Sequence, residues 1–419
     1  MKKTLMLVAV SCLLTGTAAL HAQNLKPAPR PPALAGGIPA GESAAPDGYA
    51  PLPMWLGQTR APRPAKTSEY AVEVVAEGLN GAFSFNLLPD GRMLAAERSG
   101  HIRLIGKDGK ISEIEGLPAN MYTKGQGLYE VRPDKAFDKN RTLYLVYAVL
   151  PEGANEALRS PAVVVVSSAT LSADDKRIDN VKILLNTEGT TGRMVQAPDG
   201  TLMVTSSVPA GYGLPAGDWM YPQQLDSNMG KVLRINADGS IPKDNPFVGK
   251  AGAHPEIYAL GFRDMQGVAI EPKTGKLWTS EHGPRGGDEV NAVEKGKNYG
   301  YPVIGYGRDY SGKPINNDKT AQDGMEQPVY FWTPDIAPAG IAFYDGKLFP
   351  DWRDNLFVAE LVGKSLVRLM LKDGHVVAEE RLLTELNARI RGVNQGPDGA
   401  LYVMTDGAGA KILRLTPKK

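Results

Sequence analysis

The sequence predicts an all-β fold, a six-bladed β-propeller of four-stranded antiparallel blades, and three observations carry that reading. Beyond Tyr70 the chain runs as short apolar stretches broken by Gly, Asp and Pro, with few long stretches of helical periodicity. One unit recurs: an apolar strand, a turn of the Pro-Asp-Gly kind, and a second apolar strand. Six such units span the whole length, which fits radial repetition better than two adjacent β domains.

In order, the units are FNLLPDGRMLAAE (85–97), YEVRPDKAFDKNRTLYLVY (129–147), MVQAPDGTLMVTS (194–206), VAIEPKTGKLWTSE (268–281), IAFYDGKLFPDWRDNLFVAE (341–360) and VNQGPDGALYVMTD (393–406). Several lead into a further strand and turn, as in HIRLIGKDGKI, KVLRINADGSI, SLVRLMLKDGHVV and KILRL. The propeller domain is therefore expected over 67–419. Its loops should gather at the ends of a central channel, where residues distant in sequence meet.

The first 66 residues read differently. Lys2 and Lys3 precede an apolar run from Leu5 to Leu14 and small residues ending near Ala22. That is the pattern of a secretory signal peptide, 1–22, which implies a periplasmic or secreted protein. Cys12, the one cysteine, lies inside it, so the mature chain holds no disulfide; a lipoprotein signal at Cys12 has only the weak lipobox Ala9-Val10-Ser11. Residues 23–66 are rich in proline and small residues and read as an extended, disordered leader, with Met54-Trp55-Leu56 as the part suited to docking on the domain. No later segment is apolar for the length a membrane span needs. The formal charge of +1 argues against nucleic acid or anionic lipid as the main partner.

The densest chemistry lies in SEHGPRGGDEVNAVEKGKNYGYP, 280–302. Its glycines and prolines predict an irregular loop throughout, able to turn carbonyl oxygens inward beside Asp288 and Glu289. Carbonyl and carboxylate oxygens together suit a hard cation such as calcium. No GxSxG, HExxH, Walker A or paired-cysteine pattern points to another enzyme class.

Five motifs in order resemble one family: GLxxxFxFxxLPDGRMLxxERxGxIRL (78–104), GKVLRINADGSIPKDNPF (230–247), LGFRDMQGVAIEP (260–272), SEHGPRGGDEVN with GKNYGYP (280–302) and RIRGVNQGPDGALYVMTD (389–406). They resemble the soluble aldose sugar dehydrogenases that depend on pyrroloquinoline quinone (PQQ), the glucose/sorbosone dehydrogenase group. The resemblance implies a six-bladed propeller, a tricarboxylated quinone held over calcium, and oxidation of the C1 hydroxyl of an aldose to a lactone by hydride transfer. It implies that main-chain oxygens of Gly283 and Pro284 hold the cofactor calcium and that Glu289 and Tyr299 serve a second, structural calcium. Arg389 and Arg391 fall at the positions that grip the quinone carboxylates, Arg263 at the position near its reactive carbonyl, and Trp332 where the sugar pocket is lined.

The pattern is broken where a base should remove the hydroxyl proton. The family's HxGGR histidine falls at Gly189 of Gly189-Thr190-Thr191-Gly192-Arg193, and none of the five histidines is near in sequence. Glu188 and Asp264 are the carboxylates available as replacements, Asp264 standing where the family has asparagine. The family's quinone-contacting lysine aligns with Val362, leaving Lys364 two residues on, and its glutamine is displaced to Gln126. The expected function is thus a PQQ- and calcium-dependent sugar dehydrogenase. The alternatives are a non-catalytic calcium-bound propeller that binds sugar or a protein, and a calcium-dependent lactone hydrolase, for which no convincing set of side-chain ligands is found.

Overall fold

The computed structural model describes residues 50–121, 127–149, 163–208 and 218–418. The predicted signal peptide, the first part of the leader and Gln126 lie outside the described residues.

The first strand, β1 (Tyr70–Asn80), is set aside for the last blade. Blade one is β2 (Ala82–Leu87), β3 (Met93–Glu97), β4 (His101–Ile105) and β5 (Ile111–Ile114). Blade two is β6 (Leu128–Pro133), β7 (Thr142–Val149), β8 (Val163–Leu171) and β9 (Ile178–Glu188). Blade three is β10 (Met194–Gln196), β11 (Leu202–Ser206), β12 (Lys231–Ile235) and β13 (Ile257–Leu260). Blade four is β14 (Asp264–Ile270), β15 (Leu277–His282), β16 (Asp288–Val293) and β17 (Tyr330–Trp332). Blade five is β18 (Pro338–Phe343), β19 (Leu356–Glu360), β20 (Leu366–Lys372) and β21 (His375–Leu382). Blade six is β22 (Ile390–Gln395), β23 (Leu401–Thr405) and β24 (Ala408–Pro417), completed at its outer edge by β1.

All six predicted units are the first and second strands of a blade. Their first strands contact one another around the axis. Neighbouring blades cover both faces of the inner strands, so β3 (MLAAE) is buried at every position, whereas the outer β5 (ISEI) is buried only at Ile114. Closure of the ring rests on β1, which pairs antiparallel with β24 from Tyr70↔Pro417 to Asn80↔Ala408 and so ties the two ends of the domain together. Aromatic side chains fill the wedge between blades four and five, where Trp278, Phe343, Tyr330 and Trp332 share one cluster.

Residues 50–62 pack on the outer strands of blades four and five. Trp55 meets the His375 ring edge-on at 5.4 Å. Gln58 is fully buried; its main-chain oxygen accepts from Phe331 N at 2.9 Å and its Nε2 donates to the Pro328 carbonyl at 3.0 Å. Arg60 donates to the Thr333 carbonyl at 2.7 Å, and Pro62 accepts from Glu379 N.

One local expectation is corrected. Residues 280–302 are not irregular throughout: Ser280–His282 finish β15 and Asp288–Val293 form β16. The ladder Glu281↔Glu289 joins them, so the irregular backbone narrows to 283–287 and the stretch after Val293. Burial on both faces of DEVNAV explains the strand: Asp288, Val290, Asn291 and Val293 are all buried, with Val290 and Val293 entering the core from opposite faces.

Candidate active site

In an antiparallel blade the start of the first strand and the end of the second lie at the same end of the ring. That places Asp264 (start of β14), His282 (end of β15), Arg391 (early in β22), Asp406 (just past β23), Arg98 (just past β3) and Thr191 (ahead of β10) on one face. The Pro-Asp-Gly turns fall at the opposite end. The sequence repeat therefore builds the scaffold, and the residues just outside it build the site.

The loop 283–287 is held from both sides. Buried Asp288 accepts from Gly283 N at 2.8 Å and from Ile336 N and Ala337 N at 2.7 Å each, joining blade four to the entry of blade five. Arg285 and Arg308 exchange main-chain hydrogen bonds at 2.9 and 3.0 Å. At Gly283 any Cβ would lie 2.2 Å from the Gly286 carbonyl oxygen, so only glycine permits the fold-back. Arg263 does not pair with its neighbour Asp264 but donates to the carbonyls of His282 (2.9 Å) and Gly283 (2.6 Å), and its Nη2 is 3.5 Å from the Tyr310 hydroxyl.

Beside this loop a small pocket is lined by Glu281, Glu289, Gly283, Pro284, Tyr299 and Arg263, among others. Burial pushes the Glu281 carboxyl up to about 7 and raises Glu289 well above the usual range, each further raised by a neighbouring carboxylate. Asn291 donates to both, at 2.9 and 3.3 Å, and the Arg263 main-chain N–H donates to Glu281. These donors do not offset two buried negative charges facing each other across a ladder. Carboxylates and carbonyls around such a pocket fit a hard divalent cation. No group of three or more His, Cys, Asp or Glu side chains poised for a metal occurs among the described residues, so carbonyls must supply part of any such shell. The Tyr299 phenol donates to the Ala292 carbonyl at 2.6 Å and accepts from Glu294 N at 2.9 Å, which leaves the main-chain oxygen of Tyr299 for a cation.

The gap at Gly189 is explained and partly filled. Gly189 has φ +132°, and a Cβ there would lie 2.3 Å from Ser206 Oγ, so a histidine does not fit this backbone. Two residues on, Thr191 donates to Asp264 Oδ1 at 3.3 Å, and Gln266 donates to the same oxygen at 2.6 Å. The other carboxylate oxygen lies 3.6 Å from Nδ1 of His282, which faces Asp264 across the β14–β15 ladder. His282 Nε2 is buried without a hydrogen-bond partner. Burial drives the imidazole pKa down to about 4; Asp264 opposes that shift, while Arg391 and Arg263 reinforce it. A histidine does stand at this end of the channel, although distance along the chain argued otherwise: the ladder brings position 282 to Asp264.

Glu188 ends β9 with its carboxylate turned to Ser227 Oγ (3.1 Å) and Asn228 N (3.3 Å). Its negative charge also acts on Lys231, a fully buried lysine whose Nζ donates to the carbonyls of Tyr221 (2.7 Å) and Met229 (2.8 Å). Burial lowers the Lys231 pKa to about 7, against the opposing pull of Glu188 and Asp226. The unfolded chain therefore binds this proton more readily, so the lysine's contribution is present above its unfolded pKa and is lost as pH falls from 10.5 towards 7. Lys231→Met is expected to cost about 2–4 kcal/mol in urea unfolding at pH 7, because two buried carbonyls lose their donor. It should also flatten the pH dependence in that window; an unchanged midpoint at pH 7 would contradict this account.

Arg389 and Arg391 converge on Asp406, at 2.9 and 3.2 Å, and Arg98 approaches the same carboxylate at 3.8 Å. Arg391 is enclosed, with side-chain exposure of 7% against 44% for Arg389, and its guanidinium lies 5.2 Å from the Phe83 ring centre. Burial lowers the Arg391 pKa to about 10. An excess of guanidinium over carboxylate at a channel mouth is the chemistry that suits a polycarboxylate. Lys364 sits on the same rim and donates to Asn387 Oδ1 at 3.1 Å. Trp332 is 1% exposed, its indole N–H on Glu379 Oε1 at 3.2 Å, so its ring packs inside the blade wedge rather than facing open space. The sequence reading missed His282 as a site residue and gave Arg98 no role; strand register is the signal that finds the first.

A family model described as glucose / sorbosone dehydrogenase matches residues 79–414. That family is one of sugar dehydrogenases, oxidoreductases. The chain belongs to the glucose/sorbosone dehydrogenase family. It is 34% identical over 359 residues to the aldose sugar dehydrogenase YliI of Escherichia coli, covering 83% of this chain and 93% of that one. It is 28% identical over 421 residues to quinoprotein glucose dehydrogenase B of Acinetobacter calcoaceticus, covering 82% and 87%. The apo-form crystal structure of the soluble aldose sugar dehydrogenase from Escherichia coli superposes with a TM-score of 0.76 at 33% identity, over 84% of this chain and all of that one.

Proposed function

We propose that this protein is a PQQ- and calcium-dependent dehydrogenase, periplasmic or secreted, that oxidises the C1 hydroxyl of an aldose or related sugar to the lactone. The observation that carries the reading is the juxtaposition, at one end of the channel, of an arginine cluster in excess of its carboxylate with the desolvated carboxylate pair Glu281 and Glu289 beside the 283–287 loop. A relative named as a quinoprotein and another named for aldose sugars support it.

Arg389 and Arg391 would hold the quinone carboxylates, with Lys364 and Gln126 as further contacts, and Gly283 and Pro284 would give main-chain oxygens to the calcium. Glu289 and the Tyr299 carbonyl would serve a second calcium. When bound, the quinone together with calcium would supply the two-electron acceptor for the C1 hydride. Arg263, fixed on two loop carbonyls, stabilises negative charge developing on the substrate oxygen. Asp264 and His282 act as a pair: the carboxylate, 3.6 Å from Nδ1, favours positive charge on the ring, and Nε2 is the ring atom left to take the hydroxyl proton. Glu188, committed to Ser227 and Asn228, holds the neighbouring turn. Trp332, packed in the blade wedge with its indole on Glu379, is given no contact with the sugar.

The test is titration of the full chain with PQQ, followed by quinone absorbance, with calcium and with a chelator. Saturable binding at one site that requires calcium is expected. No binding under either condition would overturn the reading and favour a propeller without catalysis.

A further inference from the structure

We propose that Arg98 is a third arm of the carboxylate cradle, gripping a carboxylate of the quinone that Arg389 and Arg391 leave uncovered. The inference rests on the quinone reading above.

Arg98 lies in the motif ERxGxIRL but in a different blade from the other two arginines, just past the end of β3. Its main chain is fixed twice: its N–H donates to the Gly81 carbonyl at 3.2 Å, and its own carbonyl accepts from Gly127 N at 2.7 Å. The side chain is weakly held, with one Nε contact to the Gly81 carbonyl at 3.3 Å. The guanidinium reaches 3.8 Å from Asp406 Oδ1, the oxygen that Arg391 Nε already occupies at 3.2 Å. That distance is beyond a hydrogen bond, so Arg98 is drawn to the cluster without being satisfied by it.

The charge count gives the reason. Arg98, Arg389 and Arg391 surround one carboxylate, so four groups carry a net two positive charges. Folding gains nothing from crowding guanidiniums this way, whereas an arriving polyanion does. The division of labour follows from contacts and exposure: Asp406 holds buried Arg391 and the Nε of Arg389 (44%), while Arg98 (32%), 3.8 Å away, keeps its donor fork open towards solvent. A planar fork on each of two blades spans a ligand that carries carboxylates on different edges.

The test is PQQ titration of full-length Arg98→Gln and Arg98→Lys in the presence of calcium, read as quinone absorbance and so independent of turnover. Arg98→Gln is expected to weaken binding about 10-fold, the low end for a charge-assisted contact because the side chain is part-exposed. Arg98→Lys should recover only part of that loss, since a point charge replaces the fork. Urea midpoints of both variants should match the unsubstituted protein, since the side chain's contacts among the described residues, to the Gly81 carbonyl and to Asp406, are both weak. A quinone analogue with one carboxylate esterified, tried at each carboxylate, should show no Arg98→Gln penalty at one of them. Unsubstituted protein that binds quinone, with Arg98→Gln within about twofold of it, overturns this inference alone. Unsubstituted protein that binds no quinone overturns the quinone reading and the inference with it.

Discussion

Replacing His282 with glutamine is expected to lower aldose-dependent turnover by about 10²- to 10⁴-fold, the range for loss of a general base. Quinone affinity should stay within about twofold, because Gln keeps the size of the ring and none of the arginine contacts runs through it. The geometry behind this is specific: Nδ1 lies 3.6 Å from Asp264 Oδ2, and Nε2 is buried without a partner. Asp264→Asn should produce a loss of similar size, and the double variant should be little worse than either single one, since the two side chains act as a unit. Glu188→Gln should change turnover much less, as its carboxylate is committed to Ser227 and Asn228. Gly189→His should not restore the family's pattern, because φ +132° and the Ser206 contact exclude the side chain. Steady-state kinetics with kcat and KM separated checks all of these. Full turnover in His282→Gln together with a collapse in Glu188→Gln would reverse the assignment.

The second large effect falls on the loop. Asp288→Ala removes the acceptor of three main-chain N–H groups, from Gly283, Ile336 and Ala337. Each buried donor left without a partner costs about 1–3 kcal/mol, so a loss of about 3–9 kcal/mol is expected in urea unfolding. Asp288→Asn keeps one carbonyl oxygen and should cost roughly half as much. Calcium affinity, followed by titration with the metal alone, should fall in the same order, because Gly283 and Pro284 hang from this clamp. An Asp288→Ala protein as stable as the parent would show that the loop is held by other contacts.

Much of the scaffold was legible in the chain because each blade writes its first two strands as the same unit. The PDG-type turns mark those hairpins directly, down to FNLLPDGRMLAAE as β2–β3 and VNQGPDGALYVMTD as β22–β23. Closure by β1 was less visible: its partner β24 lies at the other end of the chain, and its exposed positions blur the alternation. Site legibility divided along the same line. Arg263, Asp264, Arg389 and Arg391 sit at strand starts inside long motifs, and the structure brings them to one end of the channel. His282 was passed over because proximity was judged along the chain, whereas the ladder Asp264↔His282 sets it in space. The Ser280–Pro302 stretch misled for a related reason. Three of its five glycines fall in a five-residue fold-back between two strands, and the acidic residues Asp288 and Glu289 hid the core valines of β16. Trp332 carries an aromatic signal that packing and pocket lining share; only burial separates them.

The measurement that bears most directly on the central claim is aldose-dependent reduction of an artificial dye by the purified full chain, reconstituted with calcium and PQQ. Turnover that needs both additions, and that falls by about 10²-fold or more in His282→Gln, is the result this account predicts. Protein that binds quinone and calcium yet turns over no sugar in a broad aldose panel would contradict it.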